Sequence, residues 1–203
     1  YVHLVPLPKP VVATLSDSIN AQWDESHELL KTGDDIRAET YRLQSGVISL
    51  KFESGTEVVI EGPAEYQPAD LNKMTLRSGK AFAHVPETAI GFTIDTPQSS
   101  VVDLGTDFGV VVDPAVGSEI HVYQGKVNLV AGLADQPKKS EILQQHDARK
   151  VDDDGAIRTA EFKKYLFAQR ILSKENRVEY GRPVSLASLT DLADGAIARA
   201  RNL

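Results

Sequence analysis

The histidines are the residues of this 203-residue sequence best suited to acid-base or metal chemistry. There are five, His3, His27, His84, His121 and His146. No two have the i, i+2 or i, i+4 spacing of a compact metal site. His84 and His121 fall on the polar faces of two predicted strands, which leaves a dispersed ligand pair as the alternative. Nothing in the sequence pairs them, so we interpret the histidines as hydrogen-bonded or solvent-facing and predict no metal site.

Two acidic motifs resemble sites of known chemistry but lack the rest of those sites. The run 152–155, Asp-Asp-Asp-Gly, resembles part of a calcium loop, yet the alternating ligands and the distal glutamate are absent. The run 107–109, Asp-Phe-Gly, repeats the metal-binding tripeptide of protein kinases without the other kinase motifs. The sequence also has no nucleophile elbow, phosphate-binding loop or dinucleotide fingerprint. It therefore predicts neither a catalytic site nor a cofactor.

The composition is that of an ordinary soluble globular protein. Hydrophobic residues make up 41% and charged residues 25% of the chain. The length of 203 residues allows one large β domain, or a domain of about 150 residues with an appendage. The formal charge of -7 argues against nucleic acid as a partner, because binding phosphates needs clustered Lys and Arg. The absence of cysteine excludes disulfides and thiolate sites. No run reaches the roughly 18 to 20 apolar residues of a membrane-spanning helix.

Short runs with an apolar residue at every second position, separated by glycine-rich turns, fill residues 11–130. The positions predicted to face inward are Ile48, Leu50, Phe52, Val58, Ile60, Ala81, Ala83, Val85, Phe92, Ile94, Phe108, Val110, Val112, Ile120, Val122, Val127 and Leu129. Lys80, Phe82 and His84 take the opposite face of their strand. The pattern predicts a mainly β fold, either an irregular flattened β-solenoid, a two-layer sandwich or a small barrel of short strands.

The two ends of the chain differ from this β region. Residues 1–10 mix apolar residues with three prolines, which predicts an extended tether below an anchor that lies upstream. From Thr159 to Leu172 apolar residues recur at spacings of three and four, which predicts an amphipathic helix. A second helix is predicted from Ser188 to Arg201. The predicted divisions are a tether (1–10), a β domain (11–151) and a helical segment (152–203), which packs on the β domain or belongs to a following one.

Five glycine-containing elements occur in a definite order along the β region. They lie at residues 45–65, 76–81, 91–97, 101–110 and 122–127. Together with the turn at 30–34 they resemble the FecR domain over about residues 29–151, in a variant with a Gly-Pro-Ala-Glu turn at 62–65. The resemblance implies a membrane-anchored, non-catalytic regulator whose extracytoplasmic part receives a signal from a protein partner and governs a sigma factor. It carries over no catalytic residue.

The residues that carry the resemblance also have structural reasons to be there. They are Gly46, Gly55, Gly79, Gly105, Thr106, Phe108 and Gly125. Four of the glycines stand where a tight turn requires positive φ, and Gly105 with Thr106 suits a bulge or bend between paired strands. We therefore interpret the set as fold-specifying, with no bound cofactor.

Three functions remain as hypotheses. The first is a periplasmic or otherwise extracytoplasmic sensor module that binds a protein partner, with an exposed strand edge open to β-addition. The second is a carbohydrate-binding or cell-envelope scaffold module of a larger surface protein, for which Trp23, Tyr41, Tyr66 and Tyr123 are the available stacking side chains. The third is an enzyme, which would need a pocket joining His84, His121 or paired acids. Residues beyond 155 do not resemble the receptor-docking part of iron-uptake regulators, so iron transport is not predicted.

Overall fold

The structure, a computed structural model, describes residues 8–27, 30–132 and 138–181, and these form fifteen strands. The first eight are β1 (Val11–Trp23), β2 (Asp35–Arg37), β3 (Tyr41–Phe52), β4 (Glu57–Asp70), β5 (Lys73–His84), β6 (Thr93–Asp95), β7 (Ser99–Asp103) and β8 (Asp107–Asp113). The others are β9 (Gly117–Gln124), β10 (Lys126–Ala131), β11 (Lys139–Gln144), β12 (Ala148–Asp152), β13 (Ile157–Thr159), β14 (Arg170–Leu172) and β15 (Arg177–Glu179). Single 3₁₀ turns lie at Glu87–Ala89 and Ser173–Glu175.

Thirteen of the strands form one sheet that divides at β5. The first part of β5 pairs in parallel with β6, which continues through β7 and β10 to β11. The second part of β5 pairs antiparallel with β8, which continues through β9 and β12 to β13. On the other side of β5 the order is β4, β3, β1 and β2. Both branches contribute to one hydrophobic cluster, so they enclose a common core.

The core confirms the period-two reading of the sequence. Every position predicted to face inward is buried, and burial of a large aliphatic or aromatic side chain contributes about 1.5 to 3 kcal/mol. The prediction of a mainly β fold is confirmed, and the described strands close no barrel. Its finer form, a flattened solenoid or a two-layer sandwich, stays a prediction.

A row of irregularities crosses four neighbouring strands at one level of the sheet. The register shifts between Ile19 and Gln22 in β1, between Leu43 and Val47 in β3, and between Glu61 and Glu65 in β4 against β5. Gly46 has φ 89° and packs directly on the backbone of Asn20, which itself has φ 51°. Such bulges bend and twist a sheet locally.

The helix predicted from Thr159 to Leu172 is wrong. Thr159 ends β13, Arg170–Leu172 is β14, and the residues between them are extended or in turns. The Lys163 carbonyl, the Leu166 carbonyl and the Ala168 N–H bond to side chains of the sheet, so tertiary contacts override the apolar spacing. The second predicted helix, from Ser188 to Arg201, lies outside the described residues, as does most of the predicted tether.

Candidate functional site

One face of the sheet lies away from the core and is crossed by the segment 160–181. We call this face of β4, β5, β8 and β9 the outer face, and the segment the strap. The outward positions are Glu57, Val59, Glu61, Lys80, Phe82, His84, Asp107, Gly109, Glu119, His121 and Tyr123. They alternate with core residues along each strand because successive side chains in a strand point to opposite faces. The candidate site is therefore the space between the outer face and the strap.

His121 is the most buried polar residue under the strap, with no exposed surface. Its Nδ1 accepts a hydrogen bond of 3.3 Å from the backbone N–H of Lys163. Its Nε2 therefore carries the ring proton and donates it to Glu119 Oε1 over 2.7 Å. Lys163 Nζ contacts the same carboxylate at 3.0 Å, and Tyr123 donates its hydroxyl proton to the Lys163 carbonyl. Three alternate residues of β9 thus hold one residue of the strap.

Burial decides the charge of this group. It lowers the pKa of His121, and the neighbouring carboxylate of Glu119 opposes the change only in part. Burial alone would raise the pKa of Glu119, but the hydrogen bonds from Lys163 and His121 outweigh it and lower that pKa. At pH 7 the pair is a carboxylate beside a neutral imidazole. The imidazole acts as an acceptor towards the strap, and its second nitrogen is already committed to Glu119.

The middle of the strap is held by an aromatic ring and by two further side chains of the sheet. The buried ring of Phe167 lies directly on Gly109, where an added Cβ would stand 2.5 Å from ring atom Cε2. Lys80 Nζ donates to the Leu166 carbonyl at 3.3 Å, and Glu61 Oε1 accepts from the Ala168 N–H at 2.8 Å. The absence of a side chain at Gly109 therefore makes the seat for Phe167.

Two hollows flank the strap. The larger, of about 500 Å³, lies between β14 and β15 and the outward residues of β1, β3, β4, β5 and β8. Its lining includes Asp17, Glu57 and Asp107 from the sheet and Arg170 from the strap. The smaller, of about 240 Å³, lies beside Tyr123, and both are lined by Asp107, Gln169 and Gly181. The two hollows thus form one groove interrupted by the strap.

The structure keeps the two candidate histidines apart. His84 is exposed, and its Nδ1 lies 2.5 Å from Asp107 Oδ1. His121 is buried and bonds to Glu119 and the strap, so of the two predicted roles it has the hydrogen-bonded one. Among the described residues no group of three or more His, Asp or Glu side chains is arranged to hold a metal ion.

The aromatic side chains named for carbohydrate stacking are mostly core. Trp23, Tyr41 and Tyr66 are buried, and Tyr41 stacks on Tyr66 with the ring centroids 5.6 Å apart. Tyr123 is half-buried beneath the strap, where its ring packs against Phe162. None of these four rings offers an open platform to a sugar.

The motif residues lie in turns and bulges away from the groove. The five glycines, Gly46, Gly55, Gly79, Gly105 and Gly125, all have positive φ. Thr106 is buried, its carbonyl accepts from Val85 N, and Phe108 is a core residue. The role of the set as fold-specifying residues stays a prediction. Sequence reasoning missed Glu119, Gly109 and the strap, although Glu119, His121 and Tyr123 stand at alternate positions, which places them on one strand face.

Asp103 lies within the same motif and is fully buried. Its Oδ2 accepts a hydrogen bond of 2.8 Å from Gly105 N. Burial raises the pKa of this carboxyl to about 6, against the backbone N–H groups of Gly105, Thr106 and Gly91, which lower it. The folded protein therefore holds this proton at a pH where the unfolded chain has lost it.

We expect Asp103→Asn to remove a pH dependence of stability. Between pH 4 and about 6 the wild-type unfolded chain is ionised while the folded carboxyl is still protonated, so the free energy of unfolding falls as pH rises, by on the order of 1 to 2 kcal/mol. Urea titrations at pH 4, 5, 6 and 7 measure this slope. The exposed Asp153→Asn is the control and should keep it. Equal slopes in Asp103→Asn and the wild type would show that another group carries the effect.

We expect the strap to loosen on acidification. Burial lowers the pKa of His121 in the folded protein below about 6.5, the usual value for a free histidine. Neutral His121 therefore stabilises the docked strap above about pH 6.5, and this stabilisation is lost as the pH falls below that value. Protonation of His121 removes the acceptor for Lys163 N–H and sets a cation near Lys163 Nζ. Hydrogen exchange of strap amides at pH 7.5 and 5.0, corrected for intrinsic rates, should show protection falling at the lower pH.

His146 also faces the strap, with its ring 5.1 Å from that of Phe162, so it is the matched control. His146→Gln should keep the pH dependence of strap protection. His121→Phe should give weak protection at both values. Retention of the pH dependence in His121→Phe would assign it to other groups, Glu119 among them.

Comparison with known proteins shows what the β region is similar to. Residues 29–128 match the model of the FecR protein family. The match contains β2 to β9 and ends within β10, so it covers the branch point of the sheet and stops before the strap. These residues, just under half of the chain, are therefore similar to the FecR protein family. No curated protein sequence matches the chain.

Solved structures agree on the fold. Two crystal structures of a proposed anti-sigma factor from Parabacteroides distasonis each superpose with a TM-score of 0.51 at 20% sequence identity. Each match covers 61% of this chain and 60% of that protein. The chain thus corresponds to less than two thirds of that protein, and at this identity the likeness concerns the fold.

Proposed function

We propose that this domain is the extracytoplasmic, non-catalytic regulatory module of a membrane-anchored FecR-like protein. It binds a protein partner on the periplasmic side and relays that contact towards control of a sigma factor. The observation that carries the proposal is the match of the FecR family model to residues 29–128, one continuous stretch from β2 to β10. The fold shared with a proposed anti-sigma factor supports the same assignment.

The polar residues of the outer face support a binding role over a catalytic one. Glu119, His121 and Tyr123 bond to the strap, and so do Lys80 and Glu61. They bond to backbone groups of the strap, which is how a protein surface binds an extended polypeptide. Within the described residues no helix has the length and apolar character to cross a membrane.

Two measurements on the full-length protein in its own cells test the proposal. A lysine reagent that does not cross the inner membrane should label exposed residues such as Lys51, while a cytoplasmic marker stays unlabelled. Affinity capture after crosslinking should recover an envelope receptor or a sigma-factor regulator, and deletion of the gene should change the transcription of a sigma-dependent gene set. Labelling only in lysed cells, or deletion without any transcriptional change, would contradict it.

The carbohydrate alternative rests on stacking side chains, and Trp23, Tyr41 and Tyr66 are buried. A glycan array probed with the folded domain tests it directly. Specific binding would support the carbohydrate alternative. If substitution of the exposed Tyr165 and Tyr180 abolished the binding, these rings would form the site; if it did not, another surface would.

A further inference from the structure

The strap is a structural unit of its own. Its two strands, β14 and β15, pair only with each other among the described strands and form a ribbon separate from the thirteen-stranded sheet. Its aliphatic contacts with the sheet belong to a small cluster around Val59, Ala168 and Ile171, distinct from the main core. Its buried Phe167 ring packs against the rings of Phe82, His121 and Tyr123. Segments with so few buried contacts open at lower free energy than the core strands. We therefore expect the strap to open at a lower free energy than the strands of the core.

The outer face holds the strap chiefly by its backbone. His121 and Glu61 accept the N–H groups of Lys163 and Ala168, and Tyr123 and Lys80 donate to carbonyls. Every extended polypeptide presents such groups, so these contacts recognise a chain regardless of its sequence. Selectivity comes from the space above Gly109. Because glycine has no side chain, an aromatic ring can lie there, whereas a Cβ at this position would stand 2.5 Å from the ring of Phe167.

The groove beside this seat carries negative charge. Asp17, Glu57 and Asp107 line the hollow of about 500 Å³ from the sheet side, and Arg170 and Glu179 of the strap line it from the other side. Glu57 also contacts Lys51, and Asp107 contacts His84, so the sheet side keeps a net negative charge through Asp17. Arg170 follows Phe167 by three positions. The hollow thus adds a preference for a basic side chain shortly after the aromatic one, by charge complementarity.

We propose that the outer face is the docking groove for an extended segment of the protein partner, one with an aromatic residue followed within about three positions by a basic residue, and that the strap occupies this groove as a competing ligand. The proposal rests on the proposed function and deepens it, because it says where the partner binds and how the chain itself limits access. Release of the strap and binding of the partner are then linked.

A labelled synthetic peptide of residues 160–181, added to the purified full chain, tests the groove directly. The wild-type chain should bind it weakly, since the strap in cis is present at an effective concentration in the millimolar range. Phe167→Ala in the chain weakens the strap in cis, and we expect the peptide to bind that chain at least about tenfold more tightly. A peptide in which Phe167 is replaced by alanine should lose at least about tenfold in affinity for it.

A second substitution in the chain tests the seat itself. Gly109→Ala added to Phe167→Ala fills the seat with a methyl group and should return peptide affinity to the wild-type level. An Arg170→Glu peptide should bind a fewfold more weakly at low salt, because the attraction of Arg170 to the acidic lining becomes a repulsion and attraction between exposed charges is weak. Equal affinity of both chain variants, or no gain from Phe167→Ala, would overturn the proposal.

The same proteins separate this inference from the proposed function. A wild-type chain that dimerises by exchanging straps would show that a second copy, and not another protein, is the natural occupant, and would overturn the assignment. The peptide assay uses purified protein, so its failure leaves the capture and transcription results standing. Failed capture with a positive peptide assay would instead remove the proposed function and leave only a peptide-binding groove.

Discussion

Replacing Gly46 with alanine is expected to lower the free energy of unfolding by about 3 to 5 kcal/mol, or to prevent folding. A Cβ at this position would lie 2.3 Å from the backbone oxygen of Asn20 in β1, and φ is 89°. A backbone oxygen cannot rotate away as a side chain can. The substitution therefore forces β1 and β3 apart where their register shifts.

Gly33 is the matched control for this prediction. It has φ 99°, but an added Cβ would meet no atom within 4 Å. Gly33→Ala thus adds only the strain of a left-handed conformation, roughly 1 to 2 kcal/mol. Urea unfolding of the two variants separates strain from close contact. Similar losses in both variants would mean that β1 moves freely and that the row of bulges in β1, β3, β4 and β5 is not rigid.

The row of bulges gives one physical reason for several glycines in the elements that resemble the FecR domain. Gly62 in β4 would place a Cβ 2.9 Å from Ser45 Cα, and Gly79 in β5 would place one 2.6 Å from Ala64 Cβ. Neighbouring strands therefore approach each other too closely for a side chain at Gly62 or Gly79. The local density of glycine at these positions is set by backbone contact across the sheet as well as by turns.

The inner face of the sheet could be predicted from the sequence because one rule governs it. Ile48, Leu50 and Phe52 alternate with polar neighbours, and a residue repeated every second position faces the same side. All three are buried in the core. The pairing of β5 with β6 in parallel and with β8 antiparallel could not be predicted, since it depends on contacts between segments distant in sequence.

The outer face could be predicted only in part. Val59 and Phe82 are apolar residues on a face otherwise polar, and both are buried. An apolar residue on the polar face is a signal that something covers it, and here the strap does. The spacing of Phe162, Tyr165 and Leu166 favoured a helix, but Tyr165 is exposed and the buried ring is that of Phe167. Local periodicity cannot show that backbone groups have better partners across the fold.

Gly109→Ala is expected to have opposite effects in two backgrounds, and this isolates the contact that seats the strap. In the wild type the new methyl group would lie 2.5 Å from the Phe167 ring and displace it. Full loss of a buried phenylalanine costs about 3 to 5 kcal/mol, which bounds the loss of strap docking from above. In a Phe167→Ala background the clash is gone, and alanine is favoured over glycine in a strand by about 0.5 to 1 kcal/mol.

Limited proteolysis of the strap and urea unfolding of the core measure the two parts separately. Gly109→Ala and Phe167→Ala should each raise the rate of cleavage between residues 160 and 181, while the core transition keeps its slope. The double variant should be cleaved no faster than Phe167→Ala alone. Its core should be slightly more stable, because Gly109 does not have a positive φ and alanine can replace it without strain. Additive losses in the double variant would contradict a direct contact, because residues that touch are coupled and distant residues are not. A sign reversal would establish that the space above this glycine belongs to an aromatic side chain.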